Sequence, residues 1–283
     1  MIGGQYGEDE ILSKIFKGVD DGFVVNAEWK EHPIDCQAVA DLAGARYDAE
    51  EIGDGPIVYC KTHFAEANFE KLATLGRCVL LTSGSDSATN DKTANRLPSN
   101  VVRWFTANNE SHNNRVETLP IGFVFNVERT QAIIAQSEKR RGKFGLMYVN
   151  FSCHNDERRR LYEMFGECPW ATVRGGDSHD DVSQEQFYAD IAMHHYVLSP
   201  PGAGPDCHRT WEAMALGSIP IVIRGPSVGI FEDMPCMLVH NWERVTQNRL
   251  ESRIVSLGSR FEEESVMRKL SMKYWIERIK ACL

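Results

Sequence analysis

One segment near residue 200 constrains the fold of this 283-residue chain more than any other. Residues 196–198 form a short apolar run typical of a buried strand, and the proline- and glycine-rich residues 200–205 can continue neither strand nor helix. Residues 206–216 have a helical pattern, with Asp206 predicted as the N-cap. A second buried strand is predicted at Ile219–Ile223. The order strand, loop, helix, strand is typical of a parallel α/β sheet.

The start of this helix has the chemistry of an anion site. Gly202 and Gly204 belong to the tight loop before it, and His208 and Arg209 fall in its first turn, where backbone N–H groups are free. Glu212 lies one turn beyond His208 on the same face. Because this arrangement offers donors to a diphosphate and an acceptor to ribose hydroxyls, the pattern favours a nucleotide ligand.

Short apolar runs alternate with helical patterns along the whole chain, which indicates an α/β fold. The polar stretch 136–142 interrupts this alternation, so a domain boundary is placed near residue 140. Strands are predicted at 23–25, 57–60, 78–81, 101–105, 144–149, 171–173, 196–198, 219–223 and 237–239. Helices are predicted at 8–17, 65–74, 128–139, 155–165, 184–192, 206–216, 242–255 and 260–281.

Composition and charge disfavour several classes of protein. The net charge is −9 and the longest basic run is the triplet 139–141, which argues against a nucleic-acid binder. The sequence shows no apolar run of membrane-spanning length and no apolar leader, so no membrane span or signal peptide is expected. Eight cysteines without metal-ligand spacing predict reduced thiols, a cytoplasmic location and no metal site.

The segment 199–222 resembles the donor-binding motif of exostosin-like glycosyltransferases. A looser similarity continues through 231–235 and 239–243, whereas Pro201 stands where the family often has an arginine. The positions that fit the motif are Pro200, Gly202, His208, Arg209, Trp211, Glu212, Ala213, Gly217, Ile219, Pro220 and Val222.

This resemblance implies the GT-B architecture, which is two Rossmann-like doubly wound domains with a cleft between them. Residues 1–140 would hold the acceptor and residues 141–260 the nucleotide-sugar donor. Residues 261–283 would form a C-terminal helix that crosses back to the first domain. Exostosin-like enzymes imply a UDP-sugar donor, with xylose among several possible sugars, and a glycan acceptor. A chain without an anchor is similar to the relatives of bacteria and large DNA viruses.

Glycosyl transfer with inversion needs a base for the acceptor hydroxyl. Asp86 lies in the loop 82–86, which resembles a Ser/His-Asn-Ser-Asp segment of exostosin-like relatives, and it is the first candidate. His63, after the strand at 57–60, is the second, and the loop 106–109 also follows a strand end. Asp86 as a turn-capping residue and His63 as a strand-end polar residue are the structural alternatives.

The resemblance extends to further donor-site residues. Asn150, Ser152 and Arg158 are candidates for the diphosphate or its surroundings, and Arg174 for the base pocket. No Asp-x-Asp motif stands at a predicted strand end, so metal-independent transfer without any cofactor is expected. Gly204 stands where retaining GT-B enzymes often have a second glutamate, which favours inversion.

Two other classes remain open from the sequence. The opening residues 4–29 resemble the start of FkbM-type methyltransferases, which bind S-adenosylmethionine, but the glycines of that cofactor turn are missing. A GT-B module that binds a sugar or nucleotide without catalysis is the other alternative. The sequence favours an inverting glycosyltransferase over both.

Overall fold

The computed structural model describes residues 27–139, 142–176 and 182–283. The predicted helix 8–17, the predicted strand 23–25 and most of the methyltransferase-like opening lie outside the described residues, as do two residues of the basic triplet.

Four parallel strands form the first sheet, in the spatial order β1-β2-β3-β4. The strands are β1 (Ile57–Lys61), β2 (Cys78–Ser83), β3 (Val101–Thr106) and β4 (Val116–Thr118). Their side chains alternate between two faces. Val58 and Leu80 enter one buried cluster, and Tyr59 and Leu81 enter another on the opposite face. This sheet is therefore covered on both sides, as in doubly wound folds.

Five parallel strands form the second sheet, in the order β6-β5-β7-β8-β9. The strands are β5 (Gly145–Val149), β6 (Ala171–Val173), β7 (His194–Leu198), β8 (Ile219–Ile223) and β9 (Met237–Val239). Every side chain of β7 is buried, because helices pack over both of its faces within one large apolar cluster.

Helices connect and cover the strands of both sheets. The described α-helices are α1 (Cys36–Asp41), α2 (Phe69–Thr74), α3 (Asp91–Ala94), α4 (Val127–Ser137), α5 (Asp156–Phe165), α6 (Gln184–Met193), α7 (His208–Ala215), α8 (Gln247–Gly258), α9 (Glu264–Met267) and α10 (Met272–Lys280). Short 3-10 turns lie at Ala27–Lys30, Thr62–Phe64, Glu66–Asn68, Pro226–Phe231, Trp242–Arg244, Ser259–Glu262 and Arg268–Leu270.

The last helix packs against the first sheet. Met272, Trp275 and Ile279 of α10 belong to the same buried cluster as Tyr59 and Leu81. Ser271 forms a β-bridge with Pro33, so the chain returns from the second sheet to the first just before α10 begins.

The expected α/β class with two parallel sheets is confirmed, and the predicted strands from 57–60 onward are found within a few residues. The single helix predicted at 260–281 is wrong. Ser271 has an extended backbone and its side chain accepts a hydrogen bond from the Lys273 N–H, so it ends one helical run and caps the next. Strand β4 was not predicted, because its sequence Val-Glu-Thr has no apolar run.

Within the three described ranges, no helix is long and apolar enough to cross a membrane.

Candidate functional site

Residues that follow the carboxyl ends of β2, β4, β5 and β7 meet at one cleft between the two sheets. Its volume is about 420 Å³, within the usual range for small-molecule sites. The first half of the chain contributes Asp86, Ile121, Val124 and Arg129. The second half contributes Asn150, Phe151, Arg158, Val182, Gln184, Phe187, Tyr188, Gly202, Ala203, Gly204, Asp206, Cys207, His208, Arg209 and Glu212.

Arg209 brings a positive charge and unused hydrogen-bond donors to this cleft. Its Nε and Nη1 atoms are buried and have no hydrogen-bond partner among the described residues. The guanidinium carbon lies 5.4 Å from the centre of the Phe151 ring, which supports it through a cation–π contact. Buried donors without acceptors are costly, so these two nitrogens are available to a ligand that enters the cleft.

Arg158 differs from Arg209, because its hydrogen-bond donors already have acceptors in the protein. It is buried, and its Nε donates to the Pro201 carbonyl at 2.8 Å and its Nη2 to the Pro200 carbonyl at 3.2 Å. Its Nη1 donates to the Ser152 carbonyl at 3.2 Å. Burial lowers the Arg158 pKa first, and the charge of Arg209 lowers it further. Arg158 thus shapes the loop before α7 and adds positive potential to the cleft.

Glu212 is a buried carboxylate on the same face of α7 as Arg209. Tyr188 donates its hydroxyl to Glu212 Oε1 at 3.2 Å. Burial raises the Glu212 pKa, while the charges of Arg209 and then Arg129 oppose that shift. Only one oxygen has this partner in the described chain, so the other can accept from a ligand hydroxyl.

Asp206 is not the N-cap that the sequence predicted. The N-cap is Cys207, whose side chain makes no capping hydrogen bond. The Asp206 carboxylate instead accepts from the Ile121 N–H at 2.9 Å and from Trp211 Nε1 at 3.0 Å. It therefore joins the loop after β4 to helix α7.

Further hydrogen bonds tie the two halves together around the cleft. The Asp206 N–H donates to Asn108 Oδ1 at 3.3 Å, and His208 Nδ1 lies 2.8 Å from the Gly122 carbonyl oxygen. Asn108 has φ 53°, a left-handed conformation that asparagine tolerates. A β-carbon at Gly204 would sit 2.8 Å from Asn108 Nδ2, so only glycine allows this approach.

The two candidates for the base are separated by the structure. Asp86 lines the cleft, and its negative charge acts to raise the pKa of His208. His63 is exposed, pairs its Nδ1 with Ser85 Oγ at 3.0 Å and stacks on Phe64, but it does not line the cleft.

Of the other predicted site residues, some line the cleft and others lie outside it. Asn150 lines the cleft and donates to the Tyr148 hydroxyl at 2.9 Å. Ser152 lies just outside, 3.0 Å from His154 Nδ1. Arg174 is also outside, where its Nε lies 2.9 Å from the buried carboxylate of Asp190.

Sequence reasoning missed several residues of the cleft wall. Phe151 stands between the predicted Asn150 and Ser152, and its aromatic side chain was the available signal. Tyr188 of α6 and Arg129 of α4 lie on helices whose patterns carried no motif, so only the fold reveals them. Gly122 has φ 68°, and a β-carbon added there would clash with the Ile34 carbonyl oxygen, so this position requires glycine.

No cluster of three or more His, Cys, Asp or Glu side chains able to hold a metal ion is found in the parts of the chain that the structure describes. The structure describes all eight cysteines, and none of them forms a disulfide.

Asp206 is expected to make the stability of the protein depend on pH. Burial raises its pKa from 3.8 to about 6, against the hydrogen bonds from Ile121 and Trp211. The folded state therefore binds the proton more tightly than the unfolded state, so this group stabilises the fold fully below pH 4 and that contribution is lost as the pH rises through 6. Urea unfolding of wild type and Asp206→Asn should show their stability difference shifting against wild type by roughly 2 kcal/mol between pH 4 and pH 7. Parallel pH profiles would contradict this assignment.

Neither a protein-family model nor a curated protein sequence matches this chain. Among solved structures, it is similar to an alpha1,3-fucosyltransferase, with TM-score 0.42 and 13% identity over 81% of this chain and 78% of that one. It is also similar to the pneumococcal O-GlcNAc transferase GtfA in complex with UDP and GlcNAc, with TM-score 0.34 and 10% identity over 80% of this chain. The match spans 56% of the GtfA chain. Independently of these similarities, the strand pairing makes this chain a mixed α/β protein with two parallel sheets.

Proposed function

We propose that this protein is an inverting, metal-independent glycosyltransferase of the exostosin-like, GT-B type. It would transfer a sugar, xylose or another exostosin-type sugar, from a UDP-sugar to a hydroxyl of a glycan acceptor. One observation supports this proposal above all others. Arg209, which has buried donors without partners in the described chain, and Glu212, which has a buried carboxylate, lie on the same face of α7.

A diphosphate fits the positive side of the cleft. Arg209 offers donors that have no acceptor in the described chain, and Arg158 and Arg129 add charge nearby. The free N–H groups at the start of α7 add a partial positive charge. An anion held here would gain charge-assisted hydrogen bonds in a partly desolvated site, where such bonds are strong. The same groups would stabilise the diphosphate as it leaves, without a metal ion.

A ribose fits the negative side of the cleft. Glu212 lies three residues after Arg209, so the two side chains share a helix face and the carboxylate would lie about one turn from the proposed diphosphate. A carboxylate accepts from hydroxyls but repels phosphate, which orders the ligand with its sugar toward Glu212. Phe187 and Tyr188 provide apolar surface beside that position, as a nucleotide requires.

The acceptor would enter from the first half of the chain. Asp86 is the acidic residue of that half that lines the cleft, and we propose that its carboxylate belongs to the acid–base machinery. His63 and Ser152 would support neighbouring loops, and Arg174 would act through Asp190 rather than on the donor.

Replacing Glu212 by Ala is expected to weaken UDP binding by about 1–3 kcal/mol, which is roughly 5- to 150-fold, because a charged hydrogen-bond partner of the ribose is lost. Isothermal titration calorimetry with UDP measures this directly. Tyr188→Phe is the matched control: it removes the protein partner of Glu212 but leaves the carboxylate, so UDP affinity should change far less. Equal affinity of wild type and Glu212→Ala would contradict the ribose assignment.

Release of UDP from a panel of UDP-sugars, with EDTA present, tests the reaction. We expect turnover of at least one UDP-sugar, and NMR of the product should show the anomeric configuration inverted. Binding of UDP without release of UDP from any sugar would favour a non-catalytic module. Binding of S-adenosylmethionine instead of UDP would favour a methyltransferase.

A further inference from the structure

We infer that His208 is the general base of this cleft, with Nε2 as the atom that takes the proton, the Gly122 carbonyl as the group that positions the ring and Asp86 as a nearby charge that stabilises the imidazolium. This inference rests on the proposed function and changes the role of His208, which the sequence pattern placed among the donors to the diphosphate.

The hydrogen bond to Gly122 decides what His208 can do. A carbonyl oxygen only accepts, so His208 Nδ1, at 2.8 Å from it, must carry the hydrogen. In the neutral imidazole the other nitrogen, Nε2, then has a lone pair and no hydrogen. His208 also lines the cleft. Because Nδ1 is used in the hydrogen bond to Gly122, Nε2 is the ring nitrogen that remains for a ligand. A lone pair repels a phosphate oxygen, but it is what a base needs.

The surroundings of His208 favour the neutral ring in the resting state. Burial lowers the His208 pKa, whereas the Gly122 carbonyl and the Asp86 carboxylate raise it and the Arg129 charge lowers it. On its own helix, Arg209 and Glu212 carry opposite charges within one turn.

The backbone further fixes the ring in place. His208 is the first residue of α7, and the Gly122 carbonyl that holds it belongs to a residue at φ 68°, packed against Ile34. The imidazole is therefore tied to both halves of the chain, and the cleft that it lines also holds Asp86 and Arg209. We place the acceptor hydroxyl and the anomeric carbon of a bound donor beside this ring.

The acceptor O–H gives its proton to His208 Nε2, and the oxygen forms a bond to the anomeric carbon. The bond from that carbon to the β-phosphate oxygen breaks, and its electron pair leaves with UDP toward Arg209. The imidazolium, stabilised by Asp86, then returns its proton to water.

Kinetics with the UDP-sugar that is turned over best provide the first test. We expect His208→Ala to lower kcat by about 10²- to 10⁴-fold, the usual contribution of a base, and to change UDP affinity by less than about threefold. The exposed His240 gives the matched control, His240→Ala, with no effect. At saturating donor, the acid limb of kcat should shift to lower pH in Asp86→Asn and to higher pH in Arg129→Gln, because the two charges act on His208 with opposite signs.

The tautomer provides a test that needs no turnover. In the protein labelled with ¹⁵N-histidine, NMR at pH 7.5 should show His208 protonated at Nδ1 alone, both without ligand and with saturating UDP. Protonation of Nε2 in the UDP complex would overturn the inference, because it would show a donor to the diphosphate. Wild-type UDP binding together with near-normal turnover in His208→Ala would overturn this inference but leave the proposed function standing. Failure of the wild type to bind UDP would overturn the proposed function itself.

Discussion

Arg209→Met should weaken UDP binding by roughly 2–3 kcal/mol, about 30- to 150-fold, because the variant loses charge-assisted hydrogen bonds to the diphosphate. In the free protein, Nε and Nη1 of Arg209 have no acceptor within the described ranges, and the neighbouring charge of Arg158 is repulsive. Methionine keeps much of the apolar stem that packs on Phe151, so the change removes charge and donors rather than packing.

The same substitution should leave the free energy of unfolding nearly unchanged. The two buried nitrogens of Arg209 cost stability because they have no acceptor in the described chain, and an apolar side chain of similar length removes that cost, which offsets the loss of the positive charge near Glu212. Loss of binding with retained stability is the signature of a residue kept for its ligand. Isothermal titration calorimetry and urea unfolding measure the two effects separately.

Arg160→Met is the matched control for Arg209→Met. Arg160 lies on α5, is exposed and contacts Glu243 at the surface. It should leave both UDP affinity and stability nearly unchanged, since exposed ion pairs contribute little. Equal UDP affinity in wild type and Arg209→Met would mean that the diphosphate lies elsewhere.

Asp206→Ala should destabilise the protein by about 2–5 kcal/mol at pH 7, the other large effect expected here. The substitution leaves two buried donors without acceptors, Trp211 Nε1 and the Ile121 N–H, and each costs about 1–3 kcal/mol. Urea unfolding followed by tryptophan fluorescence measures the loss, because Trp211 is fully buried beside the change.

Two variants control this prediction. Asp206→Asn keeps one carbonyl oxygen as an acceptor, so its loss of stability should be smaller. Asp233→Ala removes an exposed carboxylate that pairs with Lys269 at 2.7 Å, and it should change stability by less than about 1 kcal/mol. Similar stabilities of Asp206→Ala and Asp233→Ala would show that Asp206 does not join the two halves.

The sheets could be predicted from the sequence because buried parallel strands are short apolar runs, which local patterns reveal. β8 and β9 were predicted to the residue for this reason. β4 could not be, since a three-residue edge strand with a glutamate carries no such run. The break at Ser271 depends on its bridge to Pro33, a contact between distant parts of the chain.

The residues of the cleft also differ in whether the local sequence could predict their part in it. Arg209, Glu212 and the loop glycines lie within one segment, so their spacing on a helix could be read locally. The roles of Asp206 and His208 could not, because each is decided by a backbone group of the loop after β4, about 85 residues earlier in the chain. A side chain at a helix start has several possible partners, and only the packing of the two halves selects one.

We propose that the cleft between the two sheets binds a nucleoside diphosphate through Arg209. Isothermal titration calorimetry of UDP into wild type and Arg209→Met, at pH 7.5 with EDTA, tests this proposal. We expect saturable, metal-independent binding to wild type at one site, weakened about 30- to 150-fold in the variant. No binding of UDP to wild type, or equal binding to both proteins, would show that the proposal is wrong.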